Sequence, residues 1–395
     1  MEMTEMALHP RVTAAIAHID ASDAETVADM IAVTRIAAPS GAEGPRGVWL
    51  SERLRAQGLT VSPPDPVGNV IATRTGQDAT LPPVILASHM DTVFAADTAL
   101  DVMHHGPRIC APGISDNGRG QAALIRLASA LHTAGIVTRH PIWFVGTVGE
   151  EGAGDLRGVK QLFSGDVTAA AFVAVDGAGI DRIVHRAVGS RRLRVSIDGP
   201  GGHSWIDRGS AHPIHALASA LANAAALAQY PRSSFSAGRV EGGTGINVIP
   251  QQAWVEIDIR SEEGAETGRI ETATRTAVAT AVAGANAARR DGTAPLHYEI
   301  TTIGDRPGGM TPVDADVVRH AVMATERCGI KPELVSSSTD ANVPMSLGIP
   351  SIAVGAGGNA GGMHTTDEWF DNENGTAGIR RLLLLTLAVT GAVFD

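Results

Sequence analysis

The sequence predicts an α/β fold: a mostly parallel sheet flanked by helices, with a ferredoxin-like α+β domain inserted into it. Three observations lead there. Short apolar runs alternate with helical periods over residues 70–179, as in a parallel sheet covered on both faces. Three of those runs deliver His, Asp or Glu at their carboxyl ends, where open α/β sheets carry their ligand sites. From about Asp181 the texture changes to a β-α-β-β-α-β order, the split βαβ pattern.

Taken in order, residues 24–36 (AETVADMIAVTRI) predict a helix, with Ser22 or Asp23 as N-cap and Pro39 beyond its end. Residues 45–57 predict a second, with Pro45 near its start and Gly58 as its stop. Strands follow at 70–76 and 84–87. A helix is expected over 118–134 from the apolar face Ala122, Leu124, Ile125, Leu127, Ala128 and Leu131. A strand over Ile142–Val148, a short helix over Leu156–Phe163 and a strand at 170–179 complete the first half. Val184–Asp198 alternates polar and apolar residues, which predicts one half-exposed antiparallel strand. An Ala-rich helix (Ala211–Gln229), strands at Ser233–Glu241 and Ala253–Arg260, a helix at Glu266–Ala288 and a strand at Leu296–Ile303 follow. The last segments are a helix over Asp314–Cys328, a strand at Ser351–Val354, a Gly-rich loop (GAGGNAGG) and a helix from Gly375.

Composition narrows the function classes. At 395 residues the chain has room for two domains of the usual size. The formal charge is −11, and no Lys/Arg block is long enough to track a phosphate backbone, so nucleic-acid binding is disfavoured. Two cysteines, Cys110 and Cys328, make neither a disulfide framework nor a Cys-based zinc site, which suits a reducing compartment. The first residues carry no basic stretch followed by an apolar one, so no signal peptide is expected. The most apolar tract, Leu382–Phe394, is broken by Thr386, Thr390 and Gly391 and is too short for a membrane span of about 20 residues. A cytoplasmic protein is expected.

The chemistry-bearing residues cluster at strand ends. His89 and Asp91 are two positions apart on a strand, so they share a side, and such a pair can bind metal through one ring nitrogen while the other donates to the Asp. Asp116 follows on a turn with Gly113, Gly118 and Gly120, where one carboxylate can meet two cations. Glu150 and Glu151 end a strand as adjacent carboxylates that splay apart: one can bind metal while its neighbour faces a bound water and moves its proton. Asp176 ends the third strand, and His364 adds a second imidazole from the Gly-rich loop. Two His and three carboxylates suit a pair of zinc-like divalent ions with positions left open for water and substrate.

These segments resemble the co-catalytic di-metal peptidase and amidohydrolase family of peptidase T, carnosinase, aminoacylase, carboxypeptidase G and acetylornithine deacetylase. The matching stretches are SHMDTV (88–93), GISDNGRG (113–120), GTVGEEGAGDLRG (146–158), VAVDGAG (173–179), GPGGHSW (199–205), GINVIP (245–250), DIRS (258–261) and GMHTTDEW (362–369). The resemblance implies a catalytic domain in two parts, 1–182 and 299–395, around a lid and dimerisation domain, 183–298. It implies one metal on His89, Asp116 and Asp176, and another on Asp116, Glu151 and His364, with zinc first and manganese or cobalt as alternatives. Asp91 would orient His89, and Glu150 would be the general acid/base. His203 would reach the partner subunit's site in a homodimer and hold the oxyanion. Asn247 and Arg260 would bind substrate, the Arg through a carboxylate.

Departures from the family pattern shape the expectation. Asn117 stands where many relatives carry Asp or Lys. The third-strand ligand is Asp176 rather than Glu, which leans toward di- and tripeptidases. In SSSTDAN (336–342), Asp340 can meet a substrate amine or can simply close an Asx-type turn. The expected activity is metal-dependent amide hydrolysis, of the amino-, di- or tripeptidase type. The alternative is the same machinery on an N-acyl amino acid, a carbamoyl compound or an aryl amine. A dehydrogenase reading rests on SIAVGAGGNA (351–360), but the motif should open a helix, and here it runs into GMHTTDEW. A non-catalytic relative would have lost ligands, and none is missing. No HExxH or G-x-S-x-G element is present.

Overall fold

The computed structural model describes residues 3–165, 167–227 and 231–394. The chain divides into two compact units, residues 1–187 with 310–395, and residues 188–309.

In the larger unit the strands Ile142–Thr147, Val84–His89, Ala171–Val175 and Ser351–Val354 lie side by side in that order, all parallel. Val70–Arg74 pairs antiparallel outside Ile142–Thr147, and Arg182–Ala187 pairs antiparallel to Ser351–Val354 with Glu333–Ser337 parallel beside it. Both faces are covered, which is why the central runs are apolar throughout. Val84 and Leu86 join a core with helices Pro10–Ala21, Gly44–Ala56, Gly118–Thr133, Asp316–Arg327 and Gly375–Thr390. Ile85 and Ala87 point the other way, toward Leu156, Val159, Leu162, Val343 and Met345. At about 25 cal/mol per Å² of buried apolar surface, cutting Leu86 back to Ala in such a two-sided core costs about 2–5 kcal/mol.

From Val84–His89 the chain crosses to Ile142–Thr147 on one side and then returns to Ala171–Val175 on the other. That reversal opens a crevice at the carboxyl ends of these strands. Helix Gly118–Thr133 starts at the crevice: the Asn117 side chain caps it by accepting from the Gly120 amide at 3.1 Å. Gly120 has no alternative there, because a Cβ would come within 2.5 Å of the Val175 carbonyl oxygen and 2.6 Å of Ser88 Oγ.

The smaller unit is a four-stranded antiparallel sheet in the order Ser233–Gly242, Gln252–Ser261, Gly189–Asp198, His297–Arg306. Helices Pro213–Leu227 and Gly264–Ala288 cover one face, onto which Leu193, Val195, Ile197, Val255, Ile257 and Ile259 alternate inward. Read along the chain this is β-α-β-β-α-β, the ferredoxin-like order. The end of the Ala-rich helix expected at residues 228–229 lies outside the described residues.

Two features differ from expectation. The strand expected over 184–198 is two: Arg182–Ala187 belongs to the large sheet and Gly189–Asp198 to the small one. Alternation continues through both, so periodicity alone does not reveal the break. Pairing leaves residues 182–187 in the large sheet and carries the last strand of the small unit to Arg306. Two helices at the start of the chain, Met3–Leu8 and Pro10–Ala21, were not anticipated; Met6, Val12, Ala15 and Ile19 bury their faces in the main core. The SIAVGAGGNA stretch turns from Ser351–Val354 into a short strand, Asn359–Gly361, and opens no helix, which removes the dinucleotide-binding reading. Among the described residues no helix is long and apolar enough to cross a membrane.

Candidate metal centre

Five side chains from scattered positions meet in the crevice of the larger unit. His89, at the end of its strand, places Nε2 3.0 Å from Asp116 Oδ1 and 3.5 Å from Asp176 Oδ1. His364 places Nε2 3.1 Å from Asp116 Oδ2 and 3.1 Å from Glu151 Oε1. The two oxygens of Asp116 therefore face two different imidazoles. Ligand atoms around a tetrahedral ion at about 2.0–2.1 Å stand about 3.3 Å apart. The separations here match that, and His89, Asp116 and Glu151 offer ligand atoms all within 4.8 Å of one another. Two imidazoles with hard carboxylate oxygens form a donor set that suits zinc-like ions.

The electrostatics are those of a cation site. Burial alone would lower the His89 pKa, but Asp116, Asp176 and Asp91 hold it well above the ordinary value. His364, hydrogen-bonded to Asp116, is raised to about 9. Asp116 is driven well below the usual carboxylate range: burial opposes the shift, and His364 and His89 overcome it. Burial pushes Glu151 up to about 7. In the absence of an ion, the imidazoles hold protons to offset the carboxylates, and a divalent cation would replace those protons.

Asp91 departs in detail from the expected His–carboxylate pair. His89 Nδ1 lies 3.1 Å from the main-chain oxygen of Asp91 and 3.7 Å from its Oδ1. The carboxylate is already committed. Its Oδ1 accepts from the Glu150 amide and its Oδ2 from the Glu151 amide, both at 2.9 Å, and Ser40 Oγ donates to Oδ2 at 2.5 Å. Asp91 thus steers His89 through its backbone and the Glu150–Glu151 pair through its side chain. Its pKa falls to about 2: burial works against this, and His89, Ser40 and the Glu151 amide outweigh it. Glu150 and Glu151 are each 6% exposed.

Several further residues support these ligands, and of them only Asn117 stood out in the sequence. Buried Asn117 donates to the Val175 carbonyl at 2.9 Å and accepts from the Gly177 amide at 3.1 Å, so it ties Asp116 to the segment carrying Asp176. Arg46, fully buried, donates to the Met90 carbonyl between His89 and Asp91. Glu43 accepts from the Gly149 amide ahead of Glu150. Glu368 accepts from the turn that carries Asp116. The only sequence signal for Glu368 was its place in GMHTTDEW.

Asp340 does not close the local turn. It is 3% exposed, and Thr147 Oγ1 donates to its Oδ2 at 2.5 Å. The local turn is closed by Asn342 Oδ1, which accepts from Thr339 N. Burial raises the Asp340 pKa to about 6.

The remaining candidates lie in the smaller unit. His203 pairs with Val248 in a two-stranded ladder, Asn247 directly precedes Val248, and both His203 and Asn247 are exposed. Nδ1 of His203 accepts from the Trp205 amide at 3.1 Å and the Ile206 amide at 3.4 Å, which leaves Nε2 as the protonated, donating nitrogen. Arg260 is half-exposed on the four-stranded sheet, with Nε 2.6 Å from Asp258 Oδ2.

Comparison with known proteins identifies a family and structures of similar fold. The model of peptidase family M20/M25/M40 matches residues 85–388. Among solved structures, aminopeptidase PepT from Bacillus cereus superposes with a TM-score of 0.77 at 22% identity, covering 92% of this chain and 98% of that one. The dipeptidase Dug1p from Saccharomyces cerevisiae gives 0.72 at 15% identity, covering 96% and 98%. A hydantoinase/carbamoylase family amidase from Burkholderia multivorans gives 0.66 at 19% identity, covering 93% and 97%. The chain belongs to peptidase family M20/M25/M40 and is a metal-dependent hydrolase of amide bonds.

Proposed function

We propose that this hydrolase is an exopeptidase of the amino-, di- or tripeptidase type, working with two divalent ions, zinc first. One would be held by His89, Asp116 and Asp176, the other by Asp116, Glu151 and His364. The observation that carries this reading is the Asp116 carboxylate, with one oxygen toward each imidazole. Ions bound there supply Lewis-acid polarisation of the scissile carbonyl and acidify a water. Glu150, beside the Glu151 ligand and held through its amide by Asp91, takes the water's proton and returns it to the departing amine.

His203, donating through Nε2, would stabilise the oxyanion from the partner subunit of a homodimer, with Asn247 beside it. Self-association is supported by Ser233–Gly242, an exposed strand at the edge of its sheet. Arg260 keeps guanidinium donors beyond the Nε engaged by Asp258 and would take the substrate carboxylate. The unpaired Cys110 and Cys328 support a cytoplasmic setting.

Asp176 in place of Glu, and the PepT and Dug1p likenesses, favour short peptides; the amidase likeness keeps N-carbamoyl and N-acyl compounds as the second reading. The test is metal analysis after reconstitution, followed by turnover of di- and tripeptides, N-acyl amino acids and N-carbamoyl amino acids. Two equivalents of metal and preferential cleavage of peptides with a free amino end are expected. Less than one equivalent, or cleavage of carbamoyl substrates alone, would overturn the proposal.

A further inference from the structure

We infer that Glu368 is a positioning residue that locks the His364 segment to the Asp116 turn and so sets the affinity of the metal pair. The inference rests on the metal reading of the centre given above.

Glu368 lies four residues beyond His364 and is itself 0% exposed. Its carboxylate is filled by donors from one turn. Oε2 accepts from the Gly113 amide at 2.9 Å; Oε1 accepts from the Ser115 amide at 2.8 Å, the Asp116 amide at 3.0 Å and Ser115 Oγ at 2.8 Å. Its main-chain oxygen accepts from the Ala111 amide at 3.0 Å. Next to it, Trp369–Asp371 runs antiparallel to Arg108–Cys110, so the two segments are zipped together up to the ligands.

Among the described residues, every bond on this carboxylate goes to the segment that ends in Asp116. A buried carboxylate with four donors and no competing acceptor is a rigid anchor. Asp116 must aim its two oxygens at two imidazoles, and a turn free to rotate would lose one of them. His364 sits in the left-handed region, at φ +64°, on a loop that is otherwise Gly-rich, and its own segment is held through Glu368. Fixing both ligands through one side chain replaces ordering that the metal would otherwise impose.

The test is Glu368→Gln. The amide keeps the shape but has one acceptor oxygen, and its NH2 must face a main-chain N–H of the turn. Zinc affinity, measured by calorimetry and chelator competition on the folded protein, is expected to fall about 10–100-fold. The visible spectrum of the cobalt-substituted protein should change with it. A merely structural role would lower the melting temperature of the metal-free protein and leave both the affinity and the cobalt spectrum unmoved; that result overturns the inference. Should Glu368→Gln not fold, Ser115→Ala removes the hydroxyl donor alone. It is expected to weaken zinc about 3–10-fold, and unchanged affinity there also overturns the inference. Failure of the wild-type chain to bind zinc would sink the metal reading itself, whereas equal binding by wild type and variant sinks only the role of Glu368.

Discussion

Replacing Asp91 by Asn isolates the part of the centre that is held by hydrogen bonds rather than by metal. Both oxygens of Asp91 accept main-chain amides, from Glu150 and Glu151, each at 2.9 Å. Asn offers a single oxygen, and its NH2 must face one of those amides. The unpaired buried N–H costs about 1–3 kcal/mol. A second route gives a similar figure. A pKa lowered from 3.8 to about 2 means that the folded state favours the ionised carboxylate by about 2.4 kcal/mol. Because the folded pKa is depressed, this stability is present above the unfolded value near 4 and is lost as pH falls toward 2. Asp91→Asn should therefore remove about 2–3 kcal/mol from the unfolding free energy of the metal-free protein at pH 7. The deficit should shrink as pH falls below about 4. Urea unfolding of both proteins across that range measures it. An unchanged urea midpoint at pH 7, or a deficit that widens in acid, would refute the reasoning.

Glu150→Gln should cut kcat by about 10²–10⁴-fold while the metal content stays that of wild type, and a rate above a tenth of wild type would remove Glu150 as the proton carrier. Arg260→Ala should raise KM for peptides with a free carboxylate and spare their amidated counterparts; equal effects on both would count against it. For Asp340 the sign is opposite to that of Asp91. Its pKa is raised to about 6, so the stability held by its protonated form is full below about 4 and is lost as pH climbs through 6. Asp340→Asn should relieve up to about 3 kcal/mol of this loss at pH 8 in the metal-free protein. Thermal melts from pH 4 to 8 with the same slope in wild type and variant would show that the burial of Asp340 does not act this way.

Much of the centre was legible in the chain because its ligands are tied to local patterns. His89, Glu150, Glu151 and Asp176 each follow an apolar run that can only be a buried strand, and parallel strands deliver their ends to one edge. The two-residue spacing of His89 and Asp91 correctly put them together. It did not reveal that the imidazole would take the Asp91 carbonyl, because the carboxylate's partners come from about sixty positions away.

What the sequence determined by itself was the period of most elements, the order of the two units and which side chains are of a metal-competent type, since these follow from short-range alternation and residue chemistry. Tertiary structure decided which carboxylates face the crevice and which are sealed behind it. Asp340 was drawn onto Thr147, 193 residues earlier, and Glu368 onto the Asp116 turn, 252 residues earlier. A buried carboxylate goes where donors are left unpaired, and the packed fold alone determines where that is.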